Sequence, residues 1–115
     1  MQTTIEIPQA LLATTVYQDS RLAATSQQLQ IFADASSARD AALKAAAAIA
    51  QTALDLLNGV IAGSTPDDAT IGAAFRAVYV DYPAACLAAQ NAFRLALLGS
   101  LTPPQMLVAM HIVGL

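Results

Sequence analysis

An alanine-rich stretch, residues 36–63, constrains the fold of this chain most, because it carries the start, the body and the end of a helix. Ser37 is suited to be the N-cap, since its hydroxyl can accept a hydrogen bond from a backbone N–H one turn later. Gly63 is suited to the left-handed residue that closes a helix. The stretch is therefore predicted to form a helix over 37–62 that packs closely through its alanine side. Its apolar stripe comprises Leu43, Ala47, Ala50, Leu54, Leu57 and Ile61.

The residues before this stretch are predicted to form the first helix, over 8–33. Pro8 suits a first turn, where its missing N–H has no intrahelical partner to lose. Asp19 falls close to the apolar stripe of this segment, which makes the register uncertain. A break near Asp19, with Ser20 capping a second segment, is therefore an alternative.

The residues after the alanine-rich stretch are predicted to form one long helix, over 66–98. Thr65 would be its N-cap and Pro66 its first residue. A seam of apolar residues at spacings of three and four keeps its phase across Pro83, which indicates one bent helix rather than two. The seam comprises Ile71, Phe75, Val78, Tyr82, Ala85, Ala89, Phe93 and Ala96.

A capping box begins the last predicted helix, over 103–113. Thr102 and Gln105 are three residues apart, so the hydroxyl can accept from the Gln105 N–H while the Gln amide bonds back. The whole chain, 1–115, is predicted to be one all-α domain of four helices. Its predicted form is an elongated antiparallel helical hairpin or bundle.

The composition predicts an oligomer. Hydrophobic residues make up 57% of the chain and charged residues 11%, against roughly 25% charged in ordinary soluble domains. A helical bundle of this size then has too few polar residues to cover every outer face, so a second subunit or an exposed apolar groove is expected. The uncharged tail, 95–115, has the length of a membrane span, but Gly99 and two prolines interrupt it, so no transmembrane segment is predicted.

Several functional classes lack support in the sequence. The five basic residues are scattered, which argues against nucleic acid as a partner. Cys86 is the single cysteine and is expected to be buried and inert. No nucleophile–base pair, metal cluster or phosphate-binding loop is recognisable, so we expect no enzyme activity and no cofactor. Met106, Met110 and His111 are the only candidates for a soft-metal site, and two thioethers with one imidazole are few ligands, so no metal site is predicted.

An interaction surface is predicted on the long helix, which carries most of the large aromatic residues. Residues on the seam would form the core or a subunit interface, whereas Tyr79 lies off the seam and would line an exposed surface. Aromatic side chains on such a surface could hold unfolded segments loosely. The predicted surface comprises Phe75, Val78, Tyr79, Tyr82 and Phe93.

The run from Arg39 onward resembles the LTxxQ family of small helical periplasmic proteins, which includes the Spy/CpxP-like chaperones and stress regulators and related heavy-metal resistance sensors. Leu101, Thr102 and Gln105 match the motif, in the order Leu-Thr-Pro-Pro-Gln. The acidic turn at 64–68, followed by one long helix, matches the layout of the family. In such proteins a second LTxxQ often begins the first helix, and the corresponding place here, residues 5–9, reads Ile-Glu-Ile-Pro-Gln without the Thr.

The resemblance implies an ATP-independent binding protein that holds exposed apolar segments of unfolded client proteins, acting as a chaperone or stress regulator. It also implies the periplasm, provided that a leader has been removed. The N-terminal residues have no basic segment and include Glu6, so no signal peptide is expected in the sequence as written, and a cytoplasmic protein is the alternative. The alternative function is a self-assembling structural protein whose alanine-rich faces pack into an oligomer or filament.

Overall fold

The computed structural model describes residues 3–6, 16–112 and 114 of the chain. In these residues the chain forms α-helices and 3₁₀ and π turns but no β-strand, which confirms the prediction of an all-α fold. None of the helices in this part of the chain is long and apolar enough to span a membrane. The α-helices that lie wholly within the described residues are α1 (Ser26–Ile61), α2 (Asp68–Arg76), α3 (Tyr82–Ser100) and α4 (Pro103–Ile112).

The predicted boundary between the first two helices is wrong, because α1 is a single helix of 36 residues that continues through Ser37. Serine is only slightly less favourable than alanine inside a helix, so it does not end one among so many alanines. The N-terminus of α1 is a capping box in which Thr25 Oγ1 accepts from the Gln28 N–H at 3.1 Å and Gln28 Oε1 accepts from the Thr25 N–H at 2.9 Å. The predicted start of the first helix, at residue 8, lies outside the described residues.

The break near Asp19, which the sequence offers as an alternative, is present in the structure and lies before α1. Asp19 rather than Ser20 is the cap of a 3₁₀ turn, Ser20–Leu22, and its carboxylate accepts from the Arg21 backbone N–H at 2.9 Å. The same carboxylate lies 2.8 Å from the Arg21 guanidinium, and this side-chain hydrogen bond lowers the pKa of Asp19 to about 2. Ala23 ends the turn in the left-handed conformation, with φ of 53°.

The turn from α1 to α2 follows the predicted C-terminus but not the predicted N-cap. Gly63 has φ of 114°, and its N–H and that of Ser64 donate to the carbonyls of Val60 and Gly59, the hydrogen-bond pattern of a Schellman motif. The N-cap of α2 is Asp67 and not Thr65, because the Asp67 carboxylate accepts from the backbone N–H three residues later at 2.7 Å. Asp is among the best N-cap residues, so Pro66 remains outside the helix.

A π-helical turn, Ala77–Asp81, joins α2 to α3, so the helical backbone continues across Pro83 as predicted. The Tyr82 N–H donates to the Ala77 carbonyl five residues earlier. This wider turn holds more residues than an α-helical turn, which shifts the phase of the helix. The predicted seam is therefore partly wrong: Phe75, Ala85 and Ala96 are exposed. The buried positions of α2, the π turn and α3 are Ala74, Val78, Cys86, Phe93 and Leu97.

The contacts of the described residues group into two compact units. Unit 1 consists of Ala41–Ala89 with the described part of Met1–Pro8, and unit 2 of Gln90–Leu115 with Gln9–Asp40, again in their described parts. The core of unit 1 is aliphatic and includes four members of the predicted α1 stripe, whereas Ile61 at the end of that stripe is exposed. The buried residues of α1 in unit 1 are Leu43, Ala50, Leu54 and Leu57, and those packed against the last two are Ala74 and Val78.

The core of unit 2 contains a group of three rings. Tyr17 stacks on Phe32 with ring centroids 5.0 Å apart, and Phe32 meets Phe93 edge to face at 5.9 Å. The Arg39 guanidinium lies 4.3 Å from the centroid of the Phe93 ring, in cation–π geometry. Val16, Leu22 and Leu97 complete the buried cluster.

Candidate functional site

The residues of the predicted interaction surface do not form one surface. Val78 is buried in the core of unit 1 and Phe93 in the core of unit 2, so both are packing residues. In unit 1 the phase of the helix directs Val78 and the small Ala74 inward. The same phase leaves Phe75, the large neighbour of Ala74, at the surface. Phe75 and Tyr79 remain candidates for contact with a partner.

Phe75 and Tyr79 form an exposed aromatic pair in unit 1. Their ring centroids are 5.7 Å apart with an interplanar angle of 30°, and the two residues are 45% and 48% exposed. Val80 follows with 55% exposure. We call these three residues the aromatic face. Rings that already stack on each other present apolar area to a partner with little further loss of side-chain freedom.

Tyr82 is engaged within unit 1 rather than free for a partner. Its hydroxyl donates to the Glu6 carbonyl at 2.5 Å. Partial burial, together with a hydrogen bond to Cys86, raises the pKa of Tyr82 to about 12. Cys86 itself is a free, buried thiol, as the sequence predicts. The phenol therefore stays neutral and tied to the backbone of residues 3–6 over the ordinary pH range.

The Leu-Thr-x-x-Gln motif is a capping box at the start of α4. Thr102 Oγ1 accepts from the Gln105 N–H at 3.4 Å, and Gln105 Oε1 accepts from the Thr102 N–H at 3.0 Å. Leu101 is half-buried and packs against the core of unit 2. The hydrogen bonds predicted for Thr102 and Gln105 are thus present.

The Gln105 amide also pairs with the amide of Gln28, which belongs to the capping box of α1. Gln28 Nε2 donates to Gln105 Oε1 at 2.6 Å, and Gln105 Nε2 donates to Gln28 Oε1 at 2.9 Å. The remaining amide hydrogens donate to the carbonyls of Ser100, at 2.9 Å, and Leu22, at 3.3 Å. Gln28 is only 7% exposed and Gln105 is half-buried, so this reciprocal pair is a partly buried polar contact inside unit 2 in which both amides have their donors and acceptors satisfied.

Sequence reasoning missed this second Thr-x-x-Gln box, Thr25 to Gln28, and placed its counterpart at residues 5–9. Of that stretch, Ile5 and Glu6 are described and the rest lies outside the described residues. The Ile5 N–H donates to Gln51 Oε1 at 3.1 Å, so Ile5 is joined to α1 by another contact. The available signal was the spacing of Thr and Gln at the start of a helix, at Thr25 and Gln28 for α1 and at Thr102 and Gln105 for α4; the same spacing also occurs at residues 15–18.

The residues considered for a soft metal lie on α4. Met106, Met110 and His111 are all exposed. Within the described residues no three His, Cys, Asp or Glu side chains form a group that could hold a metal ion.

Comparison of the chain with protein-family models, with curated proteins and with solved structures finds no match. The geometry of this chain's own side chains is therefore what bears on its function. Two features stand out: the aromatic face of unit 1, and the pair of Thr-x-x-Gln boxes in unit 2.

Proposed function

We propose that this chain is a non-catalytic helical binding protein that holds exposed apolar segments of unfolded client proteins without nucleotide. This is the function implied by its resemblance to the LTxxQ chaperones and stress regulators. The observation that carries the proposal is the aromatic face, where Phe75, Tyr79 and Val80 are each about half exposed. Exposed apolar groups that adjoin one another on a small protein favour a binding role over a purely structural one.

The chemistry of the aromatic face suits clients of varied sequence. Aromatic rings contribute large apolar contact area through flat surfaces, and they need no fixed pattern of hydrogen bonds from a partner. Phe75 has no polar group, and the phenol of Tyr79 can remain in water while its ring is covered. Binding of this kind is adaptable and weak per contact, which fits a protein that must also release its clients.

The paired capping boxes support the resemblance to the LTxxQ family. The family often carries two such motifs, and here two Thr-x-x-Gln boxes meet through the amides of Gln28 and Gln105. From the same resemblance we propose the periplasm as its location, provided that a leader has been removed. The surplus of hydrophobic over charged residues supports a homo-oligomer as its working form.

Suppression of aggregation tests this function. The chain is mixed with a protein that unfolds on warming, and light scattering is followed with and without it. We expect the native chain to reduce the scattering, and the double variant Phe75→Ser with Tyr79→Ser to lose most of that effect. The matched control, Leu95→Ser with Leu107→Ser, removes two exposed leucines of unit 2 and should retain it. Equal activity of the two double variants, or no suppression by the native chain, would contradict the proposal.

Self-assembly is the second candidate function. Ile61 at the end of α1 and Leu87 on α3 are large aliphatic residues that are mostly exposed, which favours contact with further copies. Sedimentation velocity over a range of concentrations distinguishes the two functions. Species that keep growing with concentration would favour self-assembly, whereas one discrete species at all concentrations would favour the binding protein.

A further inference from the structure

Unit 1 carries a second apolar surface, separate from the aromatic face. It is an open groove of about 510 Å³ where side chains of α1 and α2 meet. Neither Phe75 nor Tyr79 lines it. The lining is mostly alanine and aliphatic, with two threonines and one charged residue, Asp67; it includes Ile49, Leu56, Thr70 and Ala73.

Asp67 gives the groove a fixed negative charge. Its carboxylate accepts from the Thr70 backbone N–H at 2.7 Å, so its position is set by the start of α2. Hydrogen bonds from Thr70 lower the pKa of Asp67, which keeps the carboxylate ionised at neutral pH. The side chain is exposed and remains accessible to a partner's cation.

The charges around the groove are unbalanced in the same direction. Unit 1 holds five of the eight acidic residues of the chain but only two of its five basic ones, Lys44 and Arg76. Neither of these lines the groove, and the Arg76 side chain lies 3.8 Å from the Asp81 carboxylate. A ligand in the groove therefore meets aliphatic side chains and a carboxylate that has no basic side chain beside it among the lining residues.

We infer that this groove docks a cationic amphipathic segment of another protein, with an aliphatic side chain against the alanines and a Lys or Arg beside Asp67. Alanine side chains allow a partner backbone to come close, so a helical or extended segment fits better than a bulky side chain alone. A second copy of this chain in a two-fold contact is the less suitable occupant, because such a contact uses the same patch on both copies and would bring one acidic surface onto another. None of the three residues of the aromatic face lines this groove.

Binding of a designed probe tests the inference. The probe is a fluorescently labelled amphipathic peptide of Leu, Ala and Lys, and its partner probe has Glu at every Lys position. The full chain should raise the anisotropy of the Lys peptide and leave that of the Glu peptide unchanged. Because Asp67 is exposed to solvent, the affinity for the Lys peptide should also fall as salt is added.

Two matched pairs of variants localise the binding. Asp67→Asn removes the charge while Asn can still serve as the N-cap, and Asp68→Asn makes the same change of net charge beside the groove. We expect the first to weaken peptide binding by roughly two- to fivefold, the range of an exposed ion pair, and the second to have less effect. Ala73→Gln places a longer side chain in the groove and should abolish binding, whereas Ala85→Gln changes an exposed alanine of α3 that does not line it.

Several outcomes would overturn the inference. These are equal binding of the Lys and Glu peptides, equal binding by the Ala73→Gln and Ala85→Gln variants, and a change of oligomeric state in Ala73→Gln alone, which would assign the groove to a second copy. Circular dichroism of each variant shows whether it is folded. Peptide binding is measured separately from suppression of aggregation, so either can fail without the other.

Discussion

The interior of unit 1 and the interior of unit 2 are stabilised by different kinds of contact. In unit 2 the apolar core adjoins directional polar contacts: the Gln28 and Gln105 amides pair, and the Tyr17 hydroxyl donates to the Leu97 carbonyl at 2.9 Å. In unit 1 the core between α1 and α2 consists of aliphatic side chains, among them Leu54 and Ala74. Hydrogen bonds between distant residues of unit 1 run instead to residues 3–6: the Ile5 N–H donates to Gln51 Oε1, and the Tyr82 hydroxyl donates to the Glu6 carbonyl.

The difference shows what each kind of contact can specify. A reciprocal amide pair is satisfied in one relative placement of the two helix starts, so it selects a single register. Packing of alanine and leucine is non-directional and tolerates neighbouring surface that stays uncovered. Both candidate binding surfaces, the aromatic face and the groove, lie in unit 1.

The largest expected effect tests whether apolar packing holds unit 1. Leu54→Ala removes a side chain that is fully buried, and the lost burial plus the cavity should lower the free energy of unfolding by about 2–5 kcal/mol. Urea unfolding followed by circular dichroism measures the change. The control, Leu87→Ala, removes an exposed leucine of the same unit and should change stability by no more than about 0.5 kcal/mol. Similar values for the two variants would break the comparison.

A smaller effect is expected from the amide pair of unit 2. Gln28→Ala leaves the Thr25 N–H and one side of the Gln105 amide without their partners, which should cost about 2–3 kcal/mol in the same unfolding experiment. Gln27 is exposed and adjacent in α1, so Gln27→Ala is the matched control and should be nearly neutral. If Gln28→Ala changed the free energy of unfolding as little as Gln27→Ala does, the polar network would not be what fixes the packing of unit 2.

The smallest effect concerns the link from unit 1 to residues 3–6, and it appears only at high pH. Because the pKa of Tyr82 is raised to about 12, the folded state favours the neutral phenol, so its contribution to stability is present below the unfolded value of 10.0 and is lost as pH rises through 12. Tyrosinate absorbance should show a step near pH 12 that Tyr82→Phe removes. If Tyr82→Phe titrates in the same way as the native chain, the step does not come from the Tyr82 phenol, and the contact with residues 3–6 does not contribute the expected pH-dependent stability.

Local periodicity predicted much of the fold. The apolar stripe of α1 identified Leu43, Leu54 and Leu57 as core residues, and the spacing of Thr102 and Gln105 identified the cap of α4. Each of these depends on residues within a few positions of one another, which is the range over which helix geometry acts. The prediction of Ser37 as an N-cap also used a local signal, but it was wrong because the surrounding alanines favour a helix that continues through Ser37.

The rest depends on information that local spacing does not contain. The π turn before Pro83 adds residues to one turn, so the predicted seam selected Phe75 where the structure buries Ala74. The partners Gln28 and Gln105 are 77 residues apart, and only tertiary structure brings them together. The groove likewise depends on how α1 and α2 meet, and no motif marks it in the sequence.

The amide pair also bears on how this protein ages. Hydrolysis of either side-chain amide yields a carboxylate, which has lost both N–H donors and at neutral pH can only accept hydrogen bonds. Deamidation at Gln28 would thus set two acceptor oxygens against each other where a contact of 2.6 Å now exists, and would add a negative charge in a buried position. Deamidation of either glutamine would therefore be expected to destabilise unit 2.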